Sequence, residues 1–369
     1  MLAYVVALIQ RPGDVVAETK VDLYVDPSRF LESVLSVWSP TVDLGHGFGA
    51  RYRGYGWPFA PWMAAGDALG RPVWLTHRLW LGTLLAVAAV GAARLVARLA
   101  PDAARSPLAA GAAGLLYAIN PYTTVYLDRT SITLLTYAAL PWLVLAVERG
   151  LRDPRGWRWP IVFALVLTST GGGVNVAVSA WVLLGPAAFA LYLLWLGDVS
   201  FRRFWSWLWR LSLVTFVLQL WWLVPVAIQA SAGANFLPFT EQPGTIWSTT
   251  SLPESLRLMG FWTSYVGVGY GGDLVPFHSA STAMLHLLLV VIAGLWVGGA
   301  SLLSFAALRR WRYAPFFFLL TIGGLAIMSA GWPDGTPLRR AITGVYYRVE
   351  VVDAFRTTYK AGALAALGL

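Results

Sequence analysis

The sequence predicts an all-α integral membrane protein, and three observations carry this prediction. Of its 369 residues, 57% are hydrophobic and only 12% are charged, whereas a soluble globular chain carries about a quarter charged residues. Apolar runs of spanning length recur along the chain. The 20 tryptophans and 15 tyrosines are typical of chains whose aromatic rings collect at membrane–water interfaces. The solvent for much of this chain is therefore expected to be lipid.

About ten membrane spans are predicted from apolar length. The internal ones are 73–100, 108–120, 132–147, 160–169, 174–196, 211–230, 282–308 and 315–332. The ends, "MLAYVVALIQ" and "AGALAALGL", are each about half as long as a spanning helix, so both are interpreted as truncated spans. We therefore expect residues 1–369 to form one transmembrane domain that is a fragment of a longer protein.

Arginines predict the orientation of these spans. They cluster in four places, at Arg94, Arg98 and Arg105; Arg149, Arg152, Arg155 and Arg158; Arg202, Arg203 and Arg210; and Arg309, Arg310 and Arg312. All four clusters fall on one side if every span crosses once, and the positive-inside rule makes that side cytoplasmic. The net charge of +9 is thus better explained by topology than by nucleic-acid binding. The long loops 11–72, 231–281 and 333–360 then face outward, where function is expected to concentrate.

Cofactor chemistry finds little support in the sequence. There is no cysteine, which excludes disulfides, thiol nucleophiles and cysteine-ligated metals. The histidines show no metal-ligand spacing, and no Gly-rich phosphate loop follows a strand; they are His46, His77, His278 and His286. No nucleotide cofactor is therefore expected.

The first outer loop contains a helical pattern and an aromatic segment. In "DPSRFLESVLSVW", apolar residues recur at helical spacing, which predicts an amphipathic helix lying in the membrane interface or packed on other loops. "GFGARYRGYGWPFAPW" follows, and its rings could stack on sugar faces or form an interfacial aromatic belt. The candidate substrate contacts in this segment are Arg51, Arg53, Tyr55 and Trp57.

Two aspartates in the same loop, Asp22 and Asp26, are expected to have different roles. Asp26 precedes Pro27, so it is predicted to cap the amphipathic helix, because a residue before proline leaves helical geometry and proline favours the first helical position. Asp22 has no such structural duty. A carboxylate near the membrane surface without a structural partner is a functional candidate, so Asp22 is the first candidate catalytic residue.

The second outer loop supplies another carboxylate. Glu254 lies in "SLPE", a capping-box pattern, and Asp273 in a Gly-rich segment suits a turn. Glu241 precedes Pro243 by two residues and has no capping role, so it is the second candidate catalytic residue. Asp128, beside Arg129, could form a local ion pair or belong to the site.

The third outer loop carries cations close to the last apolar run. Arg356 and Lys360 in "FRTTYK" would share one face if that segment is helical. They could hold an anionic lipid headgroup, above all a phosphate, or simply anchor the chain by snorkelling. Asn175, in "TSTGGGVNVAVSAW", is expected where a span breaks near the outer face, and irregular backbone there is tolerated where it lines a cavity.

These features together suit a lipid-linked sugar donor. The lipid tail would stay in the bilayer while Arg356 and Lys360 neutralise the phosphate. A carboxylate would take the proton from the acceptor hydroxyl as that hydroxyl attacks the anomeric carbon.

Several segments carry a resemblance to a known family. "TKVDLYVDPSRFLESVLSVWSP", "GYGWPFAPW" and "WLTHRLW", followed by "STTSLPESLRLMGFWTSY" and "FRTTYK", resemble the membrane region of the mycobacterial alpha-(1->3)-arabinofuranosyltransferase D family. The resemblance spans most of the chain, in order. It implies a GT-C-type multi-helix transmembrane core, a polyprenyl-phosphate arabinose donor, a cell-envelope polysaccharide acceptor and an active site facing outward from the cell membrane.

The resemblance also implies roles for residues. The family's proposed catalytic aspartate falls on Asp22, and a glutamate of the large outer loop falls on Glu241 by position. At Arg51, Tyr52 and Arg53 the sequence departs from the expected Asn-Gln element, which leaves the sugar open. Some GT-C relatives use a metal ion and others do not. Asp22 alone offers too few ligands for a cation site, so no obligatory metal is expected, and a bound divalent cation is kept as the alternative.

Two alternatives to an inverting glycosyltransferase were weighed. A transporter or flippase of lipid-linked sugars would bind the lipid phosphate through the same cations, but it should bury ionisable residues near the bilayer midplane. The predicted spans carry almost none apart from His286 and a few arginines near the span ends. A scaffold subunit would leave the outer carboxylates unexplained.

Overall fold

The structure, a computed structural model, describes residues 1–9, 11–16, 18, 20–36, 53–100, 106–153, 155–171, 175–232, 240–270 and 273–369. Within these ranges the chain is mostly helical, as the sequence predicts. An antiparallel hairpin of strands β1 (Gly267–Tyr270) and β2 (Asp273–Pro276) is the exception. The hairpin was not predicted, because Asp273 was assigned to a turn, whereas it begins β2 and pairs with Tyr270, the last residue of β1.

Five helices among the described residues are long and apolar enough to cross a membrane. They are Val73–Leu99, Ser131–Arg152, Val176–Trp195, Phe201–Ile228 and Leu288–Ala307. Shorter apolar helices are Pro107–Ala118, Arg158–Thr168 and Ala314–Met328. Each predicted internal span thus contains a helix, while the number of membrane crossings stays a prediction.

Two spans differ from their predicted bounds. The helix predicted to start at Leu211 starts at Phe201 and runs to Ala232. Apolar counting stopped at the arginines, but arginine is a good helix former, so the helix continues through them. The predicted span 282–308 is two helices, Ser279–His286 and Leu288–Ala307. Leu287 separates them with an extended backbone.

The remaining helices are short. They are Leu2–Leu8, Asp22–Val25, Pro27–Leu35, Phe59–Ala68, Pro121–Leu127, Pro243–Trp247, Leu252–Leu256, Pro337–Arg348, Glu350–Asp353 and Gly362–Gly368. The long segment Ser131–Arg152 consists of a 3-10 turn at Ser131–Thr133 and the helix Leu134–Arg152. Other 3-10 turns are Arg53–Gly56, Trp262–Tyr265 and Thr358–Ala361. Proline at the first turn and a polar cap start several of them, as at Asn120 and Thr336, which satisfies helix N–H groups that have no partner within the helix.

The chain divides into two compact units. The first contains Met1–Ala118, Arg129–Ser179 and Gly185–Ala234, and the second contains Ile119–Asp128, Ala180–Leu184 and Asn235–Leu369. The prediction of one transmembrane domain over the whole chain stays a prediction.

The first unit is organised around the Val73–Leu99 helix. The helices Leu2–Leu8, Pro107–Ala118 and Leu134–Arg152 all pack against it. Close approach depends on glycine: a Cβ at Gly82 would lie 2.5 Å from the ring of Tyr4. Small residues that let helices approach closely are typical of packing inside membranes.

Three of the arginine clusters meet at one end of the first unit. The buried carboxylate of Glu148 accepts two hydrogen bonds from Arg98, at 3.0 and 3.1 Å, and pairs with Arg152. The guanidinium of Arg210 lies 5.7 Å from the ring centroid of Trp157, a residue of the loop between the helices Leu134–Arg152 and Arg158–Thr168. The C-terminal ends of two spans and the start of a third therefore gather, which agrees with the predicted sharing of one side.

The second unit is built on a different helix pair. The Gly362–Gly368 helix packs on Ala314–Met328, where a Cβ at Gly324 would lie 2.6 Å from the backbone nitrogen of Ala365. The Leu252–Leu256 helix packs on Leu288–Ala307. The Pro121–Leu127 helix also contacts Gly362–Gly368.

Candidate active site

The two aspartates of the first outer loop behave differently, as predicted. Asp26 caps the Pro27–Leu35 helix, and its Oδ1 accepts a hydrogen bond of 2.9 Å from the backbone nitrogen of Arg29. Asp22 begins the Asp22–Val25 helix and is exposed. Among the described residues its carboxylate has no hydrogen bond or ion pair. The predicted cap at Asp26 is confirmed, and the catalytic role of Asp22 stays a prediction.

The predicted helix after Asp26 is present. Its residues Phe30 and Val34 are buried, and Leu35 is exposed. The helix packs against Phe59–Ala68 within the first unit. Its position at a membrane interface stays a prediction, and Trp38 lies outside the described residues.

A buried carboxylate in the same loop escaped the sequence analysis. Glu18 is buried, and its carboxylate accepts two hydrogen bonds from the backbone nitrogen of Ser131, at 3.0 and 3.2 Å. His77 Nε2 lies 3.4 Å from Glu18 Oε1. Burial raises the pKa of Glu18, although His77 and Ser131 act to lower it. Glu18 therefore ties the first outer loop to two helices.

The sequence contained a signal for this contact. An ionisable side chain inside a predicted span is expected to have a partner, and His77 lies within the Val73–Leu99 helix. His77 was considered only as a metal ligand. The search for its partner would have led to the carboxylates of the loop before it.

The aromatic segment of the first outer loop divides into a buried and an exposed part. Tyr55 is buried, and its ring centroid lies 6.4 Å from those of Phe30 and Phe59. Trp57 is 48% exposed, and its Nε1 donates to Ser169 Oγ at 3.2 Å. Trp57 thus presents a fixed ring to the outside, whereas Tyr55 supports the core.

The other predicted contacts of this segment are only partly visible. Arg51 lies outside the described residues. Arg53 begins the Arg53–Gly56 3-10 turn, and its side chain is not described. Sugar binding by Arg51, Arg53, Tyr55 and Trp57 stays a prediction.

Asn175 has a local structural role. Its Oδ1 accepts a hydrogen bond of 3.3 Å from the backbone nitrogen of Val178, so it caps the Val176–Trp195 helix. The preceding apolar helix ends at Thr168, which places Asn175 after a break as expected. A contact with substrate stays a prediction.

In the second unit, Arg356 and Glu241 lie together. Arg356 is only 5% exposed, and its Nε donates to the backbone oxygen of Glu241 at 2.6 Å. Its Nη2 lies 3.8 Å from Glu241 Oε2 and also bonds the Thr240 hydroxyl, while Nη1 donates to the Asp353 oxygen at 2.9 Å. The structure thus places the second candidate carboxylate beside a candidate phosphate-binding cation.

Lys360 is a buried cation with unusual surroundings. It is 6% exposed, and burial lowers its pKa from 10.5 to about 8, while the nearby charge of Glu241 acts in the opposite direction. Its Nζ lies 5.7 Å from the ring centroid of Tyr359. Among the described residues Nζ has no hydrogen-bond acceptor. An unpaired buried ammonium is costly, so it is a candidate for binding an anion.

The expectation of a shared helical face for Arg356 and Lys360 is wrong. The Glu350–Asp353 helix ends before Arg356, and a 3-10 turn begins at Thr358. The side chain of Arg356 turns back to the Asp353 oxygen, which supports the end of that helix instead of continuing it. The two cations are nevertheless close enough for Arg356 to lower the pKa of Lys360.

A small aromatic cavity, with a volume of about 10 Å³, lies next to Lys360 along the chain. It is lined by Tyr122, Val125, Tyr126, Leu258, Met259, Phe261 and Tyr359. The ring of Phe261 stacks on Tyr126 at 4.9 Å and on Tyr359 at 5.1 Å. Burial raises the pKa of Tyr359, and the charge of Glu241 raises it further. The cavity is therefore apolar in its walls and lies within the electrostatic reach of Glu241.

Metal binding finds no support in the part of the chain that the structure describes. It contains no group of three histidine, aspartate or glutamate side chains placed to hold a metal ion.

The apolar helices of this fold define a multi-pass helical membrane protein. Residues 2–369 match the family described as "Alpha-(1->3)-arabinofuranosyltransferase, N-terminal GT-C domain". The chain belongs to this family, and the resemblance stated from the sequence is confirmed.

Relatives and solved structures agree with this assignment. The chain is 28% identical over 333 residues to "Alpha-(1->3)-arabinofuranosyltransferase" of Mycolicibacterium smegmatis, covering 90% of this chain and 22% of that protein. It is 29% identical over 336 residues to the Mycobacterium tuberculosis protein of the same name, covering 90% and 23%. The chain thus spans about a quarter of the length of these relatives.

A cryo-EM structure of arabinofuranosyltransferase AftD from mycobacteria has a similar fold. The TM-score is 0.64 at 20% sequence identity, with 100% of this chain and 24% of that chain covered. A second structure, of the R1389S mutant, gives a TM-score of 0.56 at 20% identity over 97% of this chain and 27% of that one. The fold is therefore shared with about a quarter of a much longer protein.

Proposed function

We propose that this chain is the part of a GT-C glycosyltransferase that transfers a sugar, an arabinofuranosyl residue, from a polyprenyl-phosphate donor to a cell-envelope glycan. The observation that carries the proposal is the buried ammonium of Lys360, beside an aromatic cavity and close to Glu241 and Arg356. Family membership gives the reaction class, and these residues give the chemistry.

The donor phosphate is assigned to Lys360. A phosphodiester carries one negative charge at every physiological pH, and Lys360 Nζ is a buried cation without an acceptor among the described residues. Burial in a low-dielectric site strengthens the attraction between such charges. The same cation stabilises the charge that develops on the phosphate as the glycosidic bond breaks. Arg356 supports this by holding the Glu241 segment in place.

The base is assigned to an outer carboxylate, with Asp22 as the first choice. Its carboxylate is exposed and unpaired among the described residues, so it can accept a proton. As the acceptor hydroxyl attacks the anomeric carbon, its proton passes to the carboxylate and the bond to phosphate breaks. One displacement of this kind inverts the anomeric configuration. Glu241 is the second choice, since its carboxylate lies 3.8 Å from Arg356.

Recognition of the glycan is assigned to the first outer loop. The exposed ring of Trp57 is fixed by its bond to Ser169, and a fixed aromatic face can stack on a sugar. Arg51 and Arg53 would add hydrogen bonds to sugar hydroxyls. We assign the Pro27–Leu35 helix to the membrane interface and this loop to the outer face of the cell membrane, and the sequence positions of the arginine clusters support this orientation.

A transfer assay tests the proposal. The protein, in detergent or liposomes, is supplied with decaprenyl-phosphate arabinose and an arabinan oligosaccharide, and the product is measured by mass spectrometry. We expect Asp22→Asn to lower the rate about 10²–10⁴-fold, while the matched variant Asp26→Asn retains it. The reaction is expected to persist in EDTA.

Three outcomes would contradict the proposal. Full activity of Asp22→Asn would remove the base assignment. Loss of activity in EDTA, restored by Mg²⁺ or Mn²⁺, would show that a metal is required. Movement of labelled donor across liposomes without any transfer product would identify a transporter instead.

A further inference from the structure

A buried histidine in the second unit joins a carboxylate to a hydroxyl. His278 Nδ1 lies 3.3 Å from Asp128 Oδ2, and its Nε2 lies 2.6 Å from Thr263 Oγ1. The imidazole side chain is fully buried, whereas Asp128 and Thr263 remain partly exposed. The sequence analysis considered His278 only as a metal ligand and left the role of Asp128 open. This cluster lies outside the residues that the proposed function uses.

The imidazole is fixed in position by aromatic rings. Its centroid lies 5.6 Å from that of Phe261 and 5.2 Å from that of Phe277. Phe261 also lines the aromatic cavity. Thr263 follows Phe261 by two residues in the Trp262–Tyr265 turn. The cluster and the cavity therefore share a wall.

The chemistry of the three groups sets the direction of their hydrogen bonds. A carboxylate oxygen accepts hydrogen bonds, so an imidazole that carries one ring hydrogen holds it on Nδ1, where it points to Asp128. Nε2 is then an acceptor, and it takes the hydrogen of the Thr263 hydroxyl. With its only hydrogen used in this way, Thr263 Oγ1 can accept a further hydrogen bond but cannot donate one.

We infer that Thr263 forms a subsite for a sugar hydroxyl, with Asp128 and His278 as positioning residues that orient the threonine oxygen as an acceptor. A hydroxyl can donate to this oxygen. The phosphodiester of a lipid-linked donor cannot, because its ionised form carries no hydrogen to donate. The inference rests on the proposed function, since it assigns the subsite to the sugar that the enzyme transfers or extends. It separates sugar recognition at Thr263 from phosphate recognition at Lys360.

Binding of simple ligands tests the inference without requiring turnover. The detergent-solubilised protein is titrated with methyl α-arabinofuranoside, its monodeoxy analogues and dimethyl phosphate, and binding is measured by saturation-transfer NMR. We expect Thr263→Val, which removes the acceptor at nearly constant volume, to weaken sugar binding roughly 3- to 10-fold. Thr263→Ser should bind within about twofold of the unmodified protein, because it retains the hydroxyl. Phosphate binding should not change.

The analogues identify the contact. For the unmodified protein, one monodeoxy sugar should bind about as weakly as the complete sugar binds to Thr263→Val. That variant should not distinguish the two sugars. Asp128→Ala should weaken sugar binding, and adding it to Thr263→Val should cause no further loss, since both changes act through the same oxygen. Thr343→Val is the matched control, because the Thr343 hydroxyl donates to the Arg339 oxygen of its own helix.

The outcomes separate this inference from the proposed function. Sugar binding that is absent, or that is equally strong in Thr263→Val, overturns the inference even if transfer is normal. Equal losses for every analogue would reduce Thr263 to a structural role and overturn it as well. Sugar binding that depends on Thr263, in a protein that transfers no sugar from any lipid-linked donor, would support the inference while the proposed function fails.

Discussion

The side chain of Arg356 binds mainly the backbone of Glu241 rather than its carboxylate. Its Nε donates to the Glu241 carbonyl oxygen at 2.6 Å, whereas its Nη2 lies 3.8 Å from the carboxylate oxygen. Charge-assisted hydrogen bonds between guanidinium and carboxylate are usually shorter than 3 Å. The carboxylate is therefore placed beside a cation without being fully engaged by it, which leaves oxygen lone pairs for chemistry.

The first prediction separates the structural and chemical roles of this pair. Glu241→Gln should change the free energy of unfolding by less than about 1 kcal/mol, because the backbone hydrogen bond is retained. Arg356→Gln should cost about 1–3 kcal/mol, because buried acceptors lose their donor. If Glu241 acts as a base, its variant should lower the transfer rate about 10²–10⁴-fold. Thermal unfolding in detergent and the transfer assay measure both effects. Equal destabilisation by the two variants would contradict the assignment of a structural role to Arg356 and a chemical role to Glu241.

The second prediction concerns pH and Lys360. With a pKa of about 8 in the free protein, Lys360 is about nine-tenths protonated at pH 7 and about one-tenth at pH 9. Because the donor phosphate needs the ammonium, donor affinity should fall up to about tenfold over this range. Lys360→Arg should remove the dependence, since arginine stays protonated, and Lys360→Met should bind weakly at both values. A flat profile in the unmodified protein would remove Lys360 from donor binding.

The same pKa shift has a consequence for stability, and its sign is opposite. Burial lowers the pKa of Lys360 from 10.5 to about 8, so unfolding takes up a proton between these two values. The contribution of Lys360 to stability is therefore lost as pH falls through about 8 and is fully present above 10.5. Donor affinity should decrease over a pH range in which this contribution increases, so the effect of Lys360 on stability cannot explain the loss of binding.

What the sequence could predict depended on the distance along the chain. Asp26 was identified as a cap because an Asp-Pro pair is a local signal. The apolar helices were identified from their length. Two contacts could not be predicted in this way: Glu18 with Ser131, and Glu241 with Arg356. Each joins residues more than 100 positions apart, and no local sequence pattern encodes such a contact. Position alone had paired Arg356 with Lys360 on a helix, but the Arg356 side chain ends a helix instead.

The third prediction tests the role of Glu18 in placing the first outer loop. Glu18→Ala should destabilise the protein by about 1–3 kcal/mol, because it leaves buried groups of Ser131 and His77 without a partner. Glu18→Gln should cost less, since its amide oxygen can still accept from Ser131. Glu32, an exposed carboxylate in the same loop, provides the control Glu32→Ala. Thermal unfolding and limited proteolysis of this loop measure the effect. Equal behaviour of Glu18→Ala and Glu32→Ala would show that the contact is not needed.

The fourth prediction uses two adjacent glycines in the Leu288–Ala307 helix. A Cβ at Gly298 would lie 2.6 Å from the carbonyl oxygen of Leu256, whereas a Cβ at Gly299 would have no atom within 4 Å. Gly299→Ala should therefore leave stability unchanged or raise it by up to about 1 kcal/mol, because alanine is the better helix former. Gly298→Ala should be less stable than Gly299→Ala by about 1–3 kcal/mol, because backbone must move to admit the methyl group.

The displacement at Gly298 should also reach the cavity. Leu258 and Met259 follow the Leu252–Leu256 helix and line the aromatic cavity. If this helix moves away from Gly298, both side chains move with it, so donor affinity should fall in Gly298→Ala and not in Gly299→Ala. Thermal unfolding and donor binding, measured side by side, check the two effects. Identical stabilities and donor affinities for the two variants would show that the contact between Gly298 and Leu256 does not hold the second outer loop, because only the methyl group added at Gly298 would meet Leu256.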